Sequence, residues 1–434
     1  MTVFDSRQKY EFCSSDEIHT LQECRLNSHL EYVASHSPFY QSMFRKHGID
    51  VTGITLDSLP TIPFTDKTVL GEQNDLFLAV PMSQIVDIVL SSGTTGISTK
   101  VMYTENDLHR LAYNEGISFA SCGLNADDVV LLTCTIDRCF IAGLAYFSGV
   151  RNLGAAAIRN GLSSVESHLE IIRRLKPTAI VGVPTFLLKL GQFLIAEGID
   201  PSSTGVKKLI CIGEPIRDRM LEFLKIGEKL EQLWGARIYS TYASSETITS
   251  FCECTAQQGG HLHPDLAVVE IINDMGEVLP HGETGEVIVT PLAIEGMPLV
   301  RFKTGDVSFV LDDPCRCGRN SIRLGPILGR KNQMIKLRGT TLYPNSINAV
   351  LDSFPGINEY YVSTTTDYDL SDVVKVFVAV ADSSCSADVI MDKLQAHLRV
   401  RPEVIIASDE DVKSKVYAGN PRKLTRFVDE RKQL

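Results

Sequence analysis

The chain has 434 residues, of which 44% are hydrophobic and 22% charged, and its formal net charge is −11. This length exceeds one ordinary hydrophobic core, so we expect two or three domains, and the apolar fraction excludes a disordered or fibrous chain. An acidic balance without a Lys/Arg-rich run excludes a nucleic-acid footprint and favours a small, diffusible partner.

The N-terminal segment and the cysteines bear on the cellular compartment. The first residues are acidic and polar, without an apolar core or a small-residue cleavage site, so we expect no signal peptide. No uncharged apolar stretch reaches about 18 residues, so we expect no membrane span. The 11 cysteines are an odd number spread over a long chain, which favours reduced thiols and a cytoplasmic protein over a disulfide framework.

The spacing of apolar residues predicts the elements in chain order. Residues 16–50 have helical spacing, and turn residues at Pro60 and Pro63 precede an alternation of strands and helices. The predicted strands are 85–90, 129–134, 179–183, 208–213 and 237–242, and the predicted helices between them are 165–175, 186–197 and 216–233. Such alternation is typical of a largely parallel sheet that is covered by helices on both faces.

Three of these strands are followed by loops of unusual composition. The loops are Pro184-Thr185, Gly213-Glu214-Pro215 and Ser244-Ser245-Glu246. Because ligands bind where the strands of such sheets end, the three loops predict one shared site.

The pattern changes twice in the remaining chain. From about residue 268 to 309, short strands and turns predict a smaller antiparallel β subdomain. After Arg330 a compact α+β unit is predicted, with helices at 344–354 and 387–398 and strands at 360–364 and 374–380. The predicted fold class is therefore α/β, with parallel and mixed sheets and a β subdomain in a large N-terminal domain and a small α+β C-terminal domain.

A run of glycines and hydroxyl residues follows the predicted strand 85–90. The run contains Ser91, Ser92, Gly93, Thr94, Thr95 and Gly96, and Lys100 follows it. Such residues let backbone N–H groups point at an anion, and the lysine adds a mobile positive charge. The spacing differs from the common nucleotide loop, and a polar surface turn is the alternative. The density of donors after a strand favours a phosphate loop.

At this point the sequence resembles a known superfamily. SSGTTGISTK is similar to the phosphate-binding signature of the adenylate-forming superfamily of acyl-CoA synthetases, peptide-synthetase adenylation domains and luciferases. The resemblance is strongest to the phenylacetate-CoA ligase family, and it extends from SPFYQSMF to RKLTRFVDER. It implies an acyl-CoA synthetase-like fold with an adenylation domain at residues 1–328 and a mobile lid domain at residues 329–434.

The resemblance implies roles for three motifs of the N-terminal domain. Gly213-Glu214-Pro215 resembles the segment that forms the adenine wall. Tyr242-Ala243-Ser244-Ser245-Glu246 is similar to the Tyr-Gly-x-x-Glu segment, in which the ring packs on adenine and the glutamate holds Mg²⁺ against the ATP phosphates. Asp306 of Thr304-Gly305-Asp306 matches the carboxylate that accepts from both ribose hydroxyls. Ala243 stands where the family usually has glycine.

The resemblance also implies roles in the C-terminal domain. Arg330 resembles the arginine before the hinge, and Asn332 stands at the hinge position, where aspartate is usual. Gly339 lies in the segment expected to line the thiol tunnel. Lys423 resembles the adenylation lysine, a mobile cation that stabilises charge during adenylyl transfer, although Arg422 replaces the glycine that usually precedes it.

Two close cysteine pairs suggest a metal site. Cys254, His261, Cys315 and Cys317 supply three sulfurs and one imidazole, a set that suits tetrahedral structural zinc. The Cys-x-Cys spacing is not the usual one, and buried free cysteines are the alternative. A similar arrangement in many phenylacetate-CoA-ligase-like proteins favours the metal, with Cys252 and His263 as rival ligands.

The segment after strand 129–134 is expected to line the acyl pocket by family position. Its candidate substrate residues are Asp137, Arg138, Phe140, Ala142, Gly143 and Tyr146. The aromatic residues suit an aryl substrate, whereas packing of a helix in the core is the alternative for most of them. Asp137 and Arg138 either pair with each other or contact a polar substituent.

These residues together predict ATP-dependent activation of a carboxylic acid, followed by thioester formation with coenzyme A. The expected cofactors are ATP, Mg²⁺, coenzyme A and structural zinc, and a homodimer is a possible assembly. One alternative is a ligase that passes the acyl group to a carrier-protein thiol or an amine, or that stops at adenylation. A non-catalytic binding module and a zinc-dependent hydrolase are the others. Retention of Glu246, Asp306 and Lys423 disfavours the module, and a zinc with four protein ligands has no open position for hydrolysis.

Overall fold

The computed structural model describes residues 9–91, 99–337, 340–366, 372–381, 385–398, 400–418 and 424–431. Ser92, Gly93, Thr94, Thr95, Gly96, Gly339 and Lys423 lie outside the described residues. The chain divides into two compact units, Met1–Ile327 and Leu328–Leu434. None of the described helices is long and apolar enough to cross a membrane.

The first unit contains the larger part of the regular structure. Its helices are α1 (Ser15–His36), α2 (Pro38–His47), α3 (Lys67–Glu72), α4 (Glu105–Ser121), α5 (Ala142–Leu153), α6 (Val165–Leu175), α7 (Pro184–Ala196) and α8 (Lys225–Trp234). Its strands are β1 (Thr65–Asp66), β2 (Ile85–Leu90), β3 (Lys100–Thr104), β4 (Val129–Leu132), β5 (Ala156–Arg159), β6 (Ala179–Gly182), β7 (Lys208–Ile212), β8 (Arg237–Ser244), β9 (Thr249–Glu253), β10 (Gly260–His261), β11 (Ala267–Ile272), β12 (Gly285–Pro291), β13 (Phe302–Ser308), β14 (Val310–Leu311) and β15 (Arg323–Leu324).

A nine-stranded mixed sheet dominates this unit. Its strand order is β14-β15-β10-β9-β8-β7-β6-β4-β5, in which the run from β5 to β8 is parallel and the run from β8 to β14 is antiparallel. The parallel half confirms the predicted α/β class, and it places the carboxyl ends of β6, β7 and β8 at the same edge.

Helices cover both faces of the parallel strands. Alternate residues of one strand point to opposite faces, so Leu131 and Leu132 of β4 enter different cores. On one face the strands pack against α4 and α5, through residues such as Phe119. On the other face they pack against α6, α7 and α8, around the fully buried Trp234. Burial on both faces explains why these strands are continuous apolar runs in the sequence.

Two smaller β structures complete the first unit. A sheet of order β1-β13-β12-β11 contains the predicted antiparallel subdomain, and β1 joins it in parallel from far upstream in the chain. Strands β2 and β3 form an antiparallel hairpin in which Leu90 pairs with Lys100. The predicted phosphate loop is therefore the connection between two hairpin strands.

The second unit has its own apolar core. Its helices are α9 (Pro344–Leu351), α10 (Ala387–Leu398) and α11 (Asp409–Val416), and its strands are β16 (Gly329–Arg330), β17 (Ile335–Leu337), β18 (Thr340–Leu342), β19 (Ile357–Thr366), β20 (Asp372–Val380), β21 (Glu403–Ile406) and β22 (Phe427–Asp429). A sheet of order β21-β20-β19-β22 packs on α9 and α10, and β17 pairs with β18 as a hairpin.

Several predicted boundaries are wrong. The helix predicted over 16–50 is two helices, because Pro38 begins the second one and disfavours helical backbone at Ser37. The helix predicted over 216–233 begins only at Lys225, since Arg217 and Phe223 form a β-bridge. Strand β8 continues through Ser244, and the helix predicted over 344–354 ends at Leu351.

Candidate active site

At the edge where β6 and β7 end, the side chain of Glu214 contacts Thr185. Pro184-Thr185 is not a loop as predicted but the first turn of α7. The Glu214 carboxylate accepts hydrogen bonds from the Thr185 backbone N–H at 3.0 Å and from its hydroxyl at 2.8 Å. Gly213 has a φ of +75°, which L side chains rarely adopt, so glycine suits the sharp turn between β7 and Glu214. Two of the three predicted segments are thus joined directly.

Strand β8 ends at the same edge of the large sheet and contacts the sheet of order β1-β13-β12-β11 through Tyr242. The Tyr242 hydroxyl donates a hydrogen bond of 2.8 Å to Oδ2 of Asp306, and the Tyr242 ring stacks on Phe251. Burial, followed by the negative charge of Asp306, raises the pKa of Tyr242, so the phenol stays protonated as a donor. The Thr304 hydroxyl accepts from the Asp306 backbone N–H at 3.1 Å and thereby fixes the turn. The predicted adenine and ribose residues therefore lie side by side.

Glu246 lies just beyond the end of β8 and is 4% exposed. Its Oε1 is 3.0 Å from Nζ of Lys67, yet this oxygen accepts no hydrogen bond from the described residues. The preceding peptide is fixed by the Tyr103 hydroxyl, which donates to the Ser245 carbonyl at 2.8 Å. The contact with Lys67 is an ion pair, and a buried carboxylate oxygen is a hard ligand that suits Mg²⁺, so Glu246 fits the metal that the resemblance implies.

The structure describes both ends of the predicted phosphate loop, at Ser91 and at Thr99 with Lys100. The Ser91 backbone N–H donates to the Thr99 carbonyl at 2.9 Å and closes the hairpin, and both side chains are buried. Lys100 lies at the surface, where Nζ is 2.7 Å from Oδ1 of the exposed Asp75. This lysine is therefore held by an exposed ion pair, which is weak and easily exchanged for another anion.

The predicted acyl segment lies against the hairpin. The Leu90 backbone N–H donates to the Cys139 carbonyl at 2.8 Å, which connects the start of the phosphate loop to the acyl segment. Arg138 and Cys139 both have positive φ, an unusual backbone for residues with side chains. Asp137 and Arg138 are exposed, and their closest charged atoms are 3.9 Å apart.

The remaining acyl candidates divide between the surface and the core. Phe140 is 40% exposed, whereas Tyr146 is 5% exposed and packs against Phe119. Ala142 begins α5, and a Cβ on Gly143 would lie 2.1 Å from the Thr135 carbonyl oxygen. Glycine is thus required for the close approach of α5 to the end of β4.

The four predicted zinc ligands form one cluster. The ligand atoms of Cys254, His261, Cys315 and Cys317 lie within 4.8 Å of one another. Sγ of Cys254 is 3.6 Å from Sγ of Cys315, and Sγ of Cys317 is 3.4 Å from Nε2 of His261. Tetrahedral zinc with Zn–S bonds of about 2.3 Å separates its sulfurs by about 3.8 Å, so the cluster has the dimensions of a zinc site.

At His261 and Cys317 the pKa shifts suit a metal ligand, whereas at Cys254 burial favours the protonated thiol. Burial lowers the pKa of His261 to about 3, which keeps its imidazole neutral, and Nδ1 is 3.2 Å from the Ser321 hydroxyl. Burial raises the pKa of Cys254 to about 12. At Cys317 burial acts in the same direction, but hydrogen bonds with Arg319 outweigh it and lower the pKa.

The two rival ligands face other partners. Sγ of Cys252 is 3.1 Å from Sγ of the buried Cys122. Nε2 of His263 is 3.0 Å from the Ser118 hydroxyl, within a polar network on α4. Neither residue belongs to the cluster of ligand atoms, which favours the original set of four.

In the second unit, Arg330 ends β16 and Asn332 lies in the short 3₁₀ turn that follows it. The Asn332 carbonyl accepts from Arg431 at 3.3 Å, and the Met334 carbonyl accepts from the same guanidinium at 2.6 Å. Arg431 therefore fixes the turn at the predicted hinge position to the last described strand.

Two charged residues, one partly buried and one buried, were missed by the sequence reasoning. Lys67 was not selected, although it follows a predicted turn and faces Glu246 in the structure. Glu115 was not selected either, and it is 2% exposed on α4. An acidic residue within an otherwise helical apolar stretch gives little signal of its own, because the sequence does not reveal which face is covered.

The comparisons with known proteins agree with this geometry. The sequence profile of the AMP-binding enzyme family matches residues 44–292, and that of the AMP-binding enzyme C-terminal domain matches residues 339–431. The chain belongs to the AMP-binding enzyme family, within the adenylate-forming superfamily.

Proteins of similar sequence identify the family within this superfamily. A phenylacetate-coenzyme A ligase of Thermus thermophilus is 32% identical over 352 residues, which are 80% of this chain and 78% of that protein. One of Pseudomonas putida is 30% identical over 81% of this chain and 79% of that protein. The chain is therefore a member of the phenylacetate-CoA ligase-like family.

Solved structures agree with the fold. A 2-hydroxyisobutyryl-CoA ligase in complex with 2-HIB-AMP superposes with a TM-score of 0.85 at 21% identity, covering 99% of this chain and 94% of that chain. At this identity the superposition supports the acyl-CoA ligase fold alone.

Proposed function

We propose that this protein is an AMP-forming acid–thiol ligase that activates an aryl carboxylic acid and transfers the acyl group to coenzyme A. The observation that carries the proposal is the hydrogen bond from Tyr242 to Asp306, which joins two nucleotide motifs from different sheets at one place. The family supplies the reaction class, and the phenylacetate-coenzyme A ligases among the relatives support the aryl class of substrate.

In the first step the carboxylate oxygen attacks the α-phosphorus of ATP, and the bond to pyrophosphate breaks. Asp306 accepts from the ribose hydroxyls, Tyr242 and the Gly213-Glu214-Pro215 turn contact adenine, and the Ser91–Lys100 loop surrounds the phosphates. Lys423 stabilises the charge that develops at the transferred group. Arg330 contacts the nucleotide, as its resemblance to the arginine before the family's hinge implies. Mg²⁺, when bound, neutralises the phosphate charge that Glu246 faces.

In the second step the thiol of coenzyme A attacks the acyl carbon of the adenylate. The carbon–oxygen bond to AMP breaks, the thiol proton is lost to solvent, and the products are the thioester and AMP. The segment containing Gly339 lines the path of the thiol. Asn332, in the 3₁₀ turn near the start of the second unit, provides the hinge for exchange between the two steps.

The acyl group is expected to lie beside Phe140 and Ala142, above the start of α5. Tyr146 contributes from the core rather than by direct contact, because it is buried against Phe119. Asp137 and Arg138 lie at the exposed rim of this segment and are suited to contact a polar substituent of the substrate.

The cysteine cluster is proposed to hold a structural zinc ion. Its four protein ligands leave no open coordination position, so it stabilises the β9–β10 region rather than taking part in the reaction. A site of three thiolates requires reduced cysteines, which supports a cytoplasmic location.

A pyrophosphate-release screen tests the function. Benzoates, phenylacetates and anthranilates are incubated with the protein, Mg²⁺ and ATP, with and without coenzyme A, and the products are identified by mass spectrometry. We expect release that depends on an aryl acid, and an acyl-CoA product only when coenzyme A is present. Release with no thioester would instead favour transfer to a carrier-protein thiol or an amine. Absence of release with every acid would contradict the ligase assignment.

A further inference from the structure

Lys67 is placed at the nucleotide motifs by the pairing of β1. Thr65 and Asp66 pair in parallel with Phe302 and Lys303 of β13, so Lys67 follows at the level of Thr304, where the ribose motif begins. Burial of Thr65 fixes this register, because its hydroxyl donates to the Val300 carbonyl at 3.0 Å. The position of Lys67 is therefore set by buried backbone and not by a surface loop.

The side chain of Lys67 is directed at Glu246. Its Nζ lies 3.0 Å from Oε1, and the side chains of Lys67 and Glu246 are 28% and 3% exposed. A carboxylate this deeply buried requires a compensating positive charge, and Lys67 supplies it where Mg²⁺ would otherwise do so. The ammonium retains donors for a further anion, since it carries three N–H groups.

The helix that begins at Lys67 also contacts the predicted phosphate loop. A Cβ on Gly71 of α3 would lie 3.5 Å from the Thr99 hydroxyl, at the end of that loop. Residues 71–76 and Lys100 line an open cleft of about 380 Å³ beside it. One short segment, β1 with α3, thus borders the ribose motif, the predicted magnesium ligand and the phosphate loop.

We propose that Lys67 is a further residue of the nucleotide site. Its ammonium pairs with Glu246 in the ligand-free protein and contacts the triphosphate of ATP once Mg²⁺ takes the carboxylate. This proposal rests on the proposed function, because it assigns Glu246 to the metal. Lys67 then acts as a binding and positioning residue: it holds the carboxylate in place, and it adds a phosphate contact.

Three variants test this role: Lys67→Met, Lys67→Arg and the matched control Lys208→Met. Lys208 also forms a partly buried ion pair, 3.0 Å from Asp128, but it lies at the opposite end of β7 from the site.

The dissociation constant of Mg·ATP is measured by calorimetry, together with the KM values for ATP and the acid and the melting temperature. We expect Lys67→Met to weaken ATP binding about tenfold to hundredfold, the usual effect of losing one hydrogen bond to a charged group, with the acid KM unchanged. Lys67→Arg should restore part of the loss, and Lys208→Met should lower only the melting temperature.

Two results would overturn the proposal. In the first, Lys67→Met lowers the melting temperature as the control does and leaves ATP affinity unchanged, which makes the lysine structural. In the second, Lys67→Met binds ATP as tightly as wild type does but reaches this affinity at a lower Mg²⁺ concentration. Lys67 would then only compete with Mg²⁺ for the Glu246 carboxylate and would not contact the phosphates. Wild-type protein that binds Mg·ATP but activates no acid would contradict the proposed function, while the affinities of the variants would still decide the role of Lys67. Wild-type protein that fails to bind ATP would overturn both.

Discussion

Tyr242 and Asp306 are 64 residues apart in the sequence, yet their side-chain oxygens are 2.8 Å apart. Tyr242→Phe keeps the ring and removes the donor, so the Asp306 carboxylate loses the partner that holds it toward the ribose. We expect the KM for ATP to rise several-fold and the KM for the acid to stay unchanged, as measured from initial rates of pyrophosphate release.

The protein offers a matched control for this change. The Tyr113 hydroxyl donates to Oδ2 of Asp265 at 3.0 Å in another buried part of the same unit. Tyr113→Phe should cost a similar amount of stability and leave the KM for ATP unchanged. Equal KM values for ATP in Tyr242→Phe and wild-type protein would show that Asp306 does not depend on this hydrogen bond.

Glu115 is a buried acid that should make stability depend on pH. Burial raises its pKa to about 7, although hydrogen bonds from Ser250 and Asn114 act in the opposite direction. Between pH 4.5 and 7 the unfolded chain releases a proton that the folded chain keeps, so stability falls as pH rises through this interval. The full effect is about 3 kcal/mol, from a shift of about 2.5 pH units at 1.36 kcal/mol each.

Glu115→Gln should remove this effect, since the amide keeps a similar shape without an ionisable proton. We expect the variant to gain about 3 kcal/mol relative to wild type on going from pH 4.5 to 7.5, measured by urea unfolding. Tyr146 and Cys134, which the charge of Glu115 also affects, are themselves neutral because burial raises their pKa values. His263, whose pKa burial lowers from 6.5 to about 3, contributes an opposite slope between these two pH values, but it does so in both proteins and cancels from their difference. A constant difference between the two proteins across this range would contradict the prediction.

At the scale of elements, the cysteine cluster joins the β9–β10 hairpin to the loop that carries Cys315 and Cys317. A structural zinc would link these two segments, so its removal should release both. We expect about one zinc per purified chain, and we expect Cys317→Ser to lose the metal and lower the melting temperature by about 5–10 °C, which corresponds to a few kcal/mol in a protein of this size.

Cys24→Ser is the control for this substitution, because Cys24 is exposed on α1 and remote in sequence from the cluster. It should leave both the metal content and the melting temperature unchanged. Protein purified without metal, and with the same melting temperature before and after treatment with a chelator, would mean that the four residues are reduced cysteines and a neutral histidine only.

Four of the five parallel strands of the large sheet, β4, β6, β7 and β8, could be predicted because each is a short apolar run, and β6, β7 and β8 are also followed by distinctive segments. Gly213, for example, marks the end of β7 in both the sequence and the structure. Strand β5 was not predicted, because it lies at the edge of the sheet and is only partly buried. The start of α8 could not be predicted in the same way. Residues 216–224 have helix-compatible spacing, but Arg217 and Phe223 pair as a β-bridge, and this tertiary contact overrides the local pattern.

At the scale of the whole molecule, candidate site residues could be selected from the sequence where they belong to a motif. They could not be selected where only the tertiary structure brings them close to the motifs. Glu246 and Asp306 were selected as candidates because they stand in recognisable motifs. Lys67 was missed because its proximity to Glu246 depends on β1 joining β13, a pairing between segments more than 200 residues apart. The alternation of apolar residues indicates that a strand exists, but it does not specify a distant partner for a strand of two residues.

The residues proposed for the first half-reaction belong to both units, and Lys423 tests what the second unit contributes to that step. Lys423 belongs to the second unit, whereas Glu246 and Asp306 belong to the first. By its resemblance to the adenylation lysine, it should stabilise only the transition state of the first step. Lys423→Ala is therefore expected to slow carboxylate-dependent pyrophosphate release at least about a hundredfold, and to change thioester formation from a preformed acyl-adenylate by no more than a few-fold.

Lys413→Ala, at an exposed lysine of α11 that pairs with Asp409, is the control for general effects on this unit. If pyrophosphate release continues at the wild-type rate in Lys423→Ala, the lysine has been assigned wrongly; if both half-reactions fail together while the melting temperature is unchanged, the two steps are not separated in the way that we propose.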